Sequence, residues 1–192
     1  MIENVEFFAH KLLGLICHQD LSIVQLVQGH HLPLCPRCTG MHTGFFIFIF
    51  SIWFVSDKVR LQLARTHPFV VLILIAVTGI EWIMANYHLY SSSTASRLLT
   101  GFGTGAGIGL LLIIYQVRQS IYFIITHTRR IVILSSTCLL FIIFTLVNPI
   151  HNFWLFLTLI LCYVVLFNVL IIVTTFILRV QLMIRKLKYT LQ

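Results

Sequence analysis

The chain has 192 residues, 59% of them hydrophobic and 9% charged, with a mean hydropathy of +0.99 and a formal charge of +8. This balance excludes a water-soluble globular domain, because several apolar runs approach the roughly twenty residues that a bilayer core requires. It also excludes a nucleic-acid binder, whose basic residues would share one soluble face with exposed aromatics.

The chain opens with Glu3 and Glu6 where a secretory signal would carry Lys or Arg, so no cleaved signal peptide is expected. Val5, Phe8, Leu12, Leu15 and Ile16 recur at helical spacing. They predict a short amphipathic helix that lies on the membrane rather than crossing it. Next come Cys17-His18 and His30-His31, and then Cys35-Pro36-Arg37-Cys38-Thr39-Gly40-Met41-His42, where a polar stretch turns into an apolar helix. Five spans follow, near 36–55, 68–90, 97–117, 131–147 and 152–178. The expected architecture is therefore all-α: an extracytoplasmic Cys/His-rich segment over 1–35, a transmembrane helix bundle over 36–178 and a basic cytoplasmic tail over 179–192.

Charge placement orients this bundle. Lys58, Arg60 and Arg65 separate the first two spans, Arg118, Arg129 and Arg130 the third and fourth, and Arg179, Arg185, Lys186 and Lys188 follow the last. Only Lys11, Arg37 and Arg97 lie on the other side, with Glu3, Glu6 and Asp20. The positive-inside rule then puts the N-terminus outside and the C-terminus in the cytoplasm of a multi-pass protein of the inner or plasma membrane. All histidines except His67 and His127 fall outside with the cysteine motif, and if the orientation is inverted the same residues still converge.

Proline is favoured in the first helical turn, so Pro36 predicts that Cys35 caps the first span, with Cys38 and His42 following on about the same face. Backbone N–H groups and the helix dipole favour a thiolate there. Adding Cys17 and one histidine completes a zinc ligand set. His10, His18, His30, His31 and His42 are in range, with His10 and His42 as leading ligand candidates and His18 an outer partner or catalytic base. A sulfur separation beyond about 7 Å would exclude a shared ion, given metal–sulfur bonds near 2.3 Å. A Cys35–Cys38 disulfide is the competing expectation, as in membrane enzymes that pass electrons to quinone, although Cys17 then has no outer companion. Cys138 and Cys162 lie within apolar helices and read as inert buried thiols.

Glu81 interrupts the second span, where an ionised carboxylate is costly unless paired, neutralised or wet. Thr78, Glu81, Ala85 and His88 share a stripe, and Arg97 could reach it from the next helix. Glu81 and His88 are candidates for proton handling, and Arg97, Arg37 and Asn86 for holding an anion, with Ser93 and Thr94 close by. A Glu81–Arg97 pair used only for packing is the alternative. In the third span Gly101, Gly105 and Gly109 form one small-residue stripe and Gly103 with Gly107 another, suited to close helix packing. A phosphate-cradling loop is excluded, since these glycines lie inside a span and lack its Lys and Ser/Thr.

Cys17-His18-Gln19, the run from Leu32 to Gly40, Glu81-Trp82, Arg97 and Thr100-Gly101 together resemble the small prokaryotic membrane proteins grouped as domain of unknown function 2085. The likeness covers roughly residues 10–115. The resemblance implies that Cys17, Cys35, Cys38, Arg37 and Arg97 belong to one shared site, and it supplies no reaction. Members often carry Arg-Ser after the Cys-His element, where this chain has Asp20-Leu21-Ser22, so the resemblance does not carry an anion-binding role over to that stretch. The functional expectation is a membrane-surface zinc site beside a Glu81/Arg97 pocket for a lipid-borne or anionic ligand. It takes either of two forms, an enzyme with an open metal position or a binding or transport protein whose metal is structural.

Overall fold

In the computed structural model, residues 2–19, 23–65, 68–118 and 152–190 are described. The secondary structure comprises α1 (Ile2–Leu13), a two-stranded hairpin of β1 (Leu26–Val27) and β2 (His30–His31), then α2 (Pro36–Phe54), α3 (Asp57–Ala64), α4 (Pro68–Asn86), α5 (Thr94–Arg118) and α6 (Phe153–Thr190). The chain is mostly helical, with apolar helices as its body.

Among the described residues, α4, α5 and α6 are long and apolar enough to cross a membrane, which bears out three of the five expected spans and leaves the count of five unconfirmed. The span expected at 131–147, with Cys138, lies outside the described residues. α2 has 19 residues, but Pro36, Arg37, Thr39, His42 and Thr43 dilute the apolar character of its first two turns. α6 is about 57 Å long at 1.5 Å per residue, nearly twice a hydrocarbon core. Its helix continues through the region read from sequence as a tail.

Close packing sets the helix directions. α2 and α5 run parallel and touch backbone to backbone. A Cβ on Gly40 or Gly44 would collide with the carbonyls of Leu98 and Phe102, and one on Gly101 or Gly105 with those of Arg37 and Met41. Only glycine fits where two backbones approach this closely. α4 runs antiparallel to α5, with Thr78 donating to the Thr100 carbonyl at 2.7 Å and Thr104 to the Leu74 carbonyl at 3.2 Å. α6 runs parallel to α2, and the Asn168 amide donates to the His42 carbonyl at 2.9 Å. The first turns of α2, α5 and α6 therefore gather at one end of the bundle, where α4 finishes. Phe45, Ile49, Ile52, Ile113 and Phe167 form the core between α2, α5 and α6. By contrast, Leu72, Ile73, Val77, Ile80 and Ile83 leave α4 largely apolar on its outside, as a lipid-facing helix must be.

The N-terminal segment folds as a cap over that end. α1 buries Ala9 and Leu13 and leaves Phe7 and Phe8 exposed, and since it stops at Leu13, Leu15 and Ile16 lie outside it. The hairpin pairs Leu26 with His31 and Val27 with His30 through Gln28 and Gly29, both at positive φ (54° and 82°), the two-residue turn that matches strand twist. Trp154, in the first turn of α6, donates from Nε1 to the His31 carbonyl at 3.0 Å, and its backbone N–H reaches Gln28 Oε1 at 3.0 Å. Its ring lies 4.8 Å from that of His30, whose Nδ1 is 3.0 Å from Glu6 Oε2. One tryptophan thus ties the cap to a helix more than 120 residues away in sequence.

Candidate metal centre and adjoining charge network

The first turn of α2 organises both polar constellations. Cys35 is its N-cap, in extended conformation (φ −66°, ψ 156°), with Pro36 as the first helical residue and the Cys38 N–H directed at Cys35 Sγ at 3.5 Å. This follows from proline's fixed φ and missing donor. Cys17 arrives from the turn after α1, and its sulfur accepts the Cys35 N–H at 3.3 Å. Gln19 fixes that approach by donating to the carbonyls of His10 and Pro33, each at 2.9 Å.

The sulfurs of Cys17, Cys35 and Cys38 lie within 4.8 Å of one another, and all three thiols are free. This is well inside the 7 Å limit for a shared ion. Metal–sulfur bonds near 2.3 Å in a tetrahedral site put sulfurs ~3.8 Å apart, so closing on zinc needs at most a contraction of about 1 Å. Hydrogen bonds from the Cys35 and then the Cys38 thiol hold the Cys17 thiol well below its ordinary value, and the same sharing with Cys17 pushes the Cys35 thiol up. The trio thus already favours one thiolate, the form that binds metal. Leu13, Leu34, Trp154, Leu161 and Val165 wall it off in one apolar cluster, against which Cys162 also packs. Beside Trp154 on α6, Thr158 is fully buried and its hydroxyl has no hydrogen-bond partner among the described residues.

Neither leading histidine joins the sulfurs. His10 Nε2 is turned to the His31 carbonyl at 3.4 Å, and His42, one turn beyond Cys38, faces Asn168, whose amide lies 3.3 Å from its Nδ1. His42 is still near enough to Cys17 for an electrostatic interaction. His18 is exposed. Among the described residues the group able to hold a metal is therefore three cysteines, which offers three soft donors and leaves a fourth position to another ligand.

The buried Glu81 is paired differently from the expected Glu81–Arg97 contact. Its Oε2 takes an ion pair from Arg37 Nη2, and its Oε1 accepts from the Ser92 hydroxyl. Arg97 stands one step back and donates from Nε to Ser92 Oγ at 3.1 Å. The cause is the glycine contact: with Gly101 against the Arg37 backbone, the first turn of α2 lies on α5 and its guanidinium reaches across to α4. Sequence reasoning named Ser93 and Thr94 but missed Ser92, one residue away in the same polar run. Ser93 instead caps α5, accepting the Ser96 N–H at 3.1 Å.

His88 does not share the Glu81 environment. α4 ends at Asn86, and His88 takes the left-handed conformation (φ 56°) of a helix terminator. Its N–H bonds the Ala85 carbonyl at 3.2 Å and that of Leu89 the Met84 carbonyl at 3.0 Å. The helical stripe therefore stops short of residue 88, and both His88 and Asn86 are exposed.

Residues 17–111 match the family described as predicted membrane protein (DUF2085). A protein of Methanothermobacter thermautotrophicus described as uncharacterized is 26% identical over 96 residues, spanning 50% of this chain and 83% of that protein. No solved structure matches the chain.

Proposed function

We propose, from the premise that residues 17–111 belong to the predicted membrane protein family DUF2085, that the chain is an integral membrane protein with a metal centre at the membrane surface. Cys17, Cys35 and Cys38 hold the ion, zinc by donor type, and the Arg37–Glu81–Ser92–Arg97 network binds a lipid-borne or anionic ligand. The single supporting observation is the convergence of three sulfurs, one from the cap and two from the first turn of α2, within 4.8 Å.

Three thiolates suit zinc, whose bound form supplies either a structural tie or Lewis acidity at an open position. Cys35 and Cys38 are fixed by the helix start and Cys17 by Gln19, so the chain presents the sulfurs preorganised. Glu81, held by Arg37 and Ser92, is the group placed to take or give a proton in the enzyme version. His18, exposed beside Cys17, is an accessory base. In the binding version the ion ties the cap to the bundle, while lipid or ion recognition rests on the arginines. Basic residues from Lys58 to Arg65 lie at the far end from the thiols, which supports a plasma-membrane protein with the cap outside and the C-terminus in the cytoplasm.

Cys35 at a helix start with Cys38 three residues on also supports a second reading, a thiol–disulfide oxidoreductase coupled to quinone. Elemental analysis of the purified chain tests both. About one zinc per chain, lost in Cys35→Ser and Cys38→Ser, is the expected result. A metal-free protein with a Cys35–Cys38 disulfide would overturn the metal centre in favour of the oxidoreductase.

A further inference from the structure

Two guanidinium groups and one carboxylate meet at the Glu81 network, so a single positive charge is left among its described members. Arg37 spends Nη2 on Glu81, while its Nε is buried without a hydrogen-bond partner among the described residues. Among the described residues Arg97 gives only its Nε, to Ser92, and the Ser96 hydroxyl, which donates to the Ser93 carbonyl at 2.9 Å, lies 3.3 Å from that of Ser92. A buried N–H left unpaired is costly, and a guanidinium offers five donors, so donor capacity here exceeds what the protein uses. The spare donors come from separate elements, Arg37 from α2 and Arg97 from α5, while the hydroxyl protons of Ser92 and Ser96 are already given to Glu81 and to the Ser93 carbonyl.

From this arrangement we infer that the network is a subsite for a phosphodiester monoanion, the group that a glycerophospholipid carries in its headgroup. The inference rests on the anionic-ligand part of the proposed function and deepens it by naming the ligand class. The charge count selects the monoanion. One negative charge neutralises the network, whereas a phosphate monoester dianion would leave a net negative site in a partly buried place. The origin of the donors on two different helices favours phosphate over carboxylate. Non-bridging phosphate oxygens project out of a single plane and can accept from arginines on two different helices, as bidentate arginine sites do. Depth fits as well: Trp82, Tyr87 and Tyr90 are exposed around the same end of α4, the aromatic placement found at headgroup level. The α5 N-terminus at Thr94 adds favourable dipole to the same place.

Arg37 also lies between Cys35 and Cys38, so the phosphate subsite and the thiol centre share one helical turn while facing different neighbours. Arg37 and Ser92 keep their contacts to Glu81, and the ligand takes the remaining edge of Arg37 with the terminal nitrogens of Arg97. Glu81 thereby sets specificity, because its single charge decides whether one or two negative charges are welcome.

The test is lipid binding by the full chain in detergent, read by native mass spectrometry, with metal content measured on the same samples. Phosphatidylglycerol is the diester probe, phosphatidic acid the monoester, oleate the carboxylate and inorganic phosphate the free anion. Phosphatidylglycerol should bind ahead of phosphatidic acid and oleate, and Arg97→Gln should weaken it on the order of ten-fold or more, the worth of a charge-assisted hydrogen bond. Glu81→Gln should tighten binding and shift preference toward phosphatidic acid, an inversion that a purely structural ion pair would not produce. Arg37→Gln alone strands a buried carboxylate, so the double variant Arg37→Gln with Glu81→Gln replaces it and should bind more weakly than Glu81→Gln alone. Competition by inorganic phosphate supports the same chemistry and assigns a free-anion source, whereas its failure to compete assigns the lipid headgroup. Oleate binding as well as phosphatidylglycerol, or unchanged binding in Arg97→Gln together with no inversion in Glu81→Gln, overturns the subsite. Metal retained in that outcome leaves the thiol centre standing, and metal lost with the lipid preference intact does the reverse.

Discussion

Arg37 and Cys38 are neighbours in the chain yet serve different halves of the molecule. Cys38, with Cys35, packs against the cap and α6 among Leu13, Leu34 and Trp154, in surroundings that are apolar and hold soft sulfur. Arg37 points to α4, where its guanidinium meets the Glu81 carboxylate that Ser92 also holds. The two environments are set by what lies on either side of one helical turn. The thiol side depends on a cap attached by one apolar cluster and a few hydrogen bonds, while the guanidinium side is built into helices whose backbones touch. One turn can thus carry a soft metal site and a hard anion site that differ in how easily each is disturbed.

The substitution expected to act most strongly would erase this difference by damaging both sides. A side chain at Gly105 meets the Met41 carbonyl and the Phe45 N–H, backbone atoms that cannot move aside independently. Gly105→Val should therefore force α2 from α5 at a cost of about 3 kcal/mol or more, the upper range for overpacking. Thermal unfolding in detergent should show the loss, with metal and lipid binding falling together. If either survives intact, the two sides do not depend on a common helix pair.

Cys38→Ser separates the sides. Removing one of three sulfurs should drop metal content from about one per chain to near zero, with the apparent stability given by ligand linkage lost as well. Lipid binding through Arg97 should persist. Metal retained at full stoichiometry in Cys38→Ser would show that the ion is held elsewhere.

The pH dependence of loading offers a milder probe of the thiol side. Cys35 has a raised thiol value because it shares its proton with Cys17, so in the apo protein it stays protonated to higher pH than an ordinary cysteine. Metal must displace that proton, and loading therefore releases protons and strengthens as pH rises. Competition with a chelator across the mildly alkaline range should show affinity climbing with pH, and a flat profile would mean that Cys35 is not a ligand.

How much of this was legible in the sequence depended on whether the cause was local. The helix start at Cys35-Pro36 was legible because proline restricts its own φ. The buried carboxylate at Glu81 was legible because a charge inside an apolar run needs a partner. The identity of that partner was not, since choosing Arg37 over Arg97 requires knowing which helix lies on which side of α2. The stripe at Gly101, Gly105 and Gly109 was readable, but its counterpart Gly40-xxx-Gly44 stood in plain sight within the cysteine motif and gained meaning only once the two helices were placed parallel. His88 misled because helical periodicity was carried past Asn86, where a histidine occupies the left-handed position that glycine usually takes. The hairpin likewise hid behind a glutamine at positive φ. The docking of the cap on Trp154 left no local signal, because its partners are far away in sequence.

That docking supplies the smallest of the expected effects and the finest test of the comparison. Trp154→Phe keeps an aromatic ring beside His30 but removes the Nε1 donor to the His31 carbonyl, a neutral hydrogen bond worth about 1 kcal/mol net. The cap should loosen locally, seen as faster amide exchange over residues 24–32. Because Cys17 comes with the cap and Cys35 and Cys38 with the bundle, metal affinity should fall by roughly the same energy, about five-fold. The Arg37–Glu81 side has no part in the docking and should bind lipid as before. A change in lipid binding in Trp154→Phe would mean that strain passes through the first turn of α2 from one face to the other, and that the two sites are coupled rather than merely adjacent.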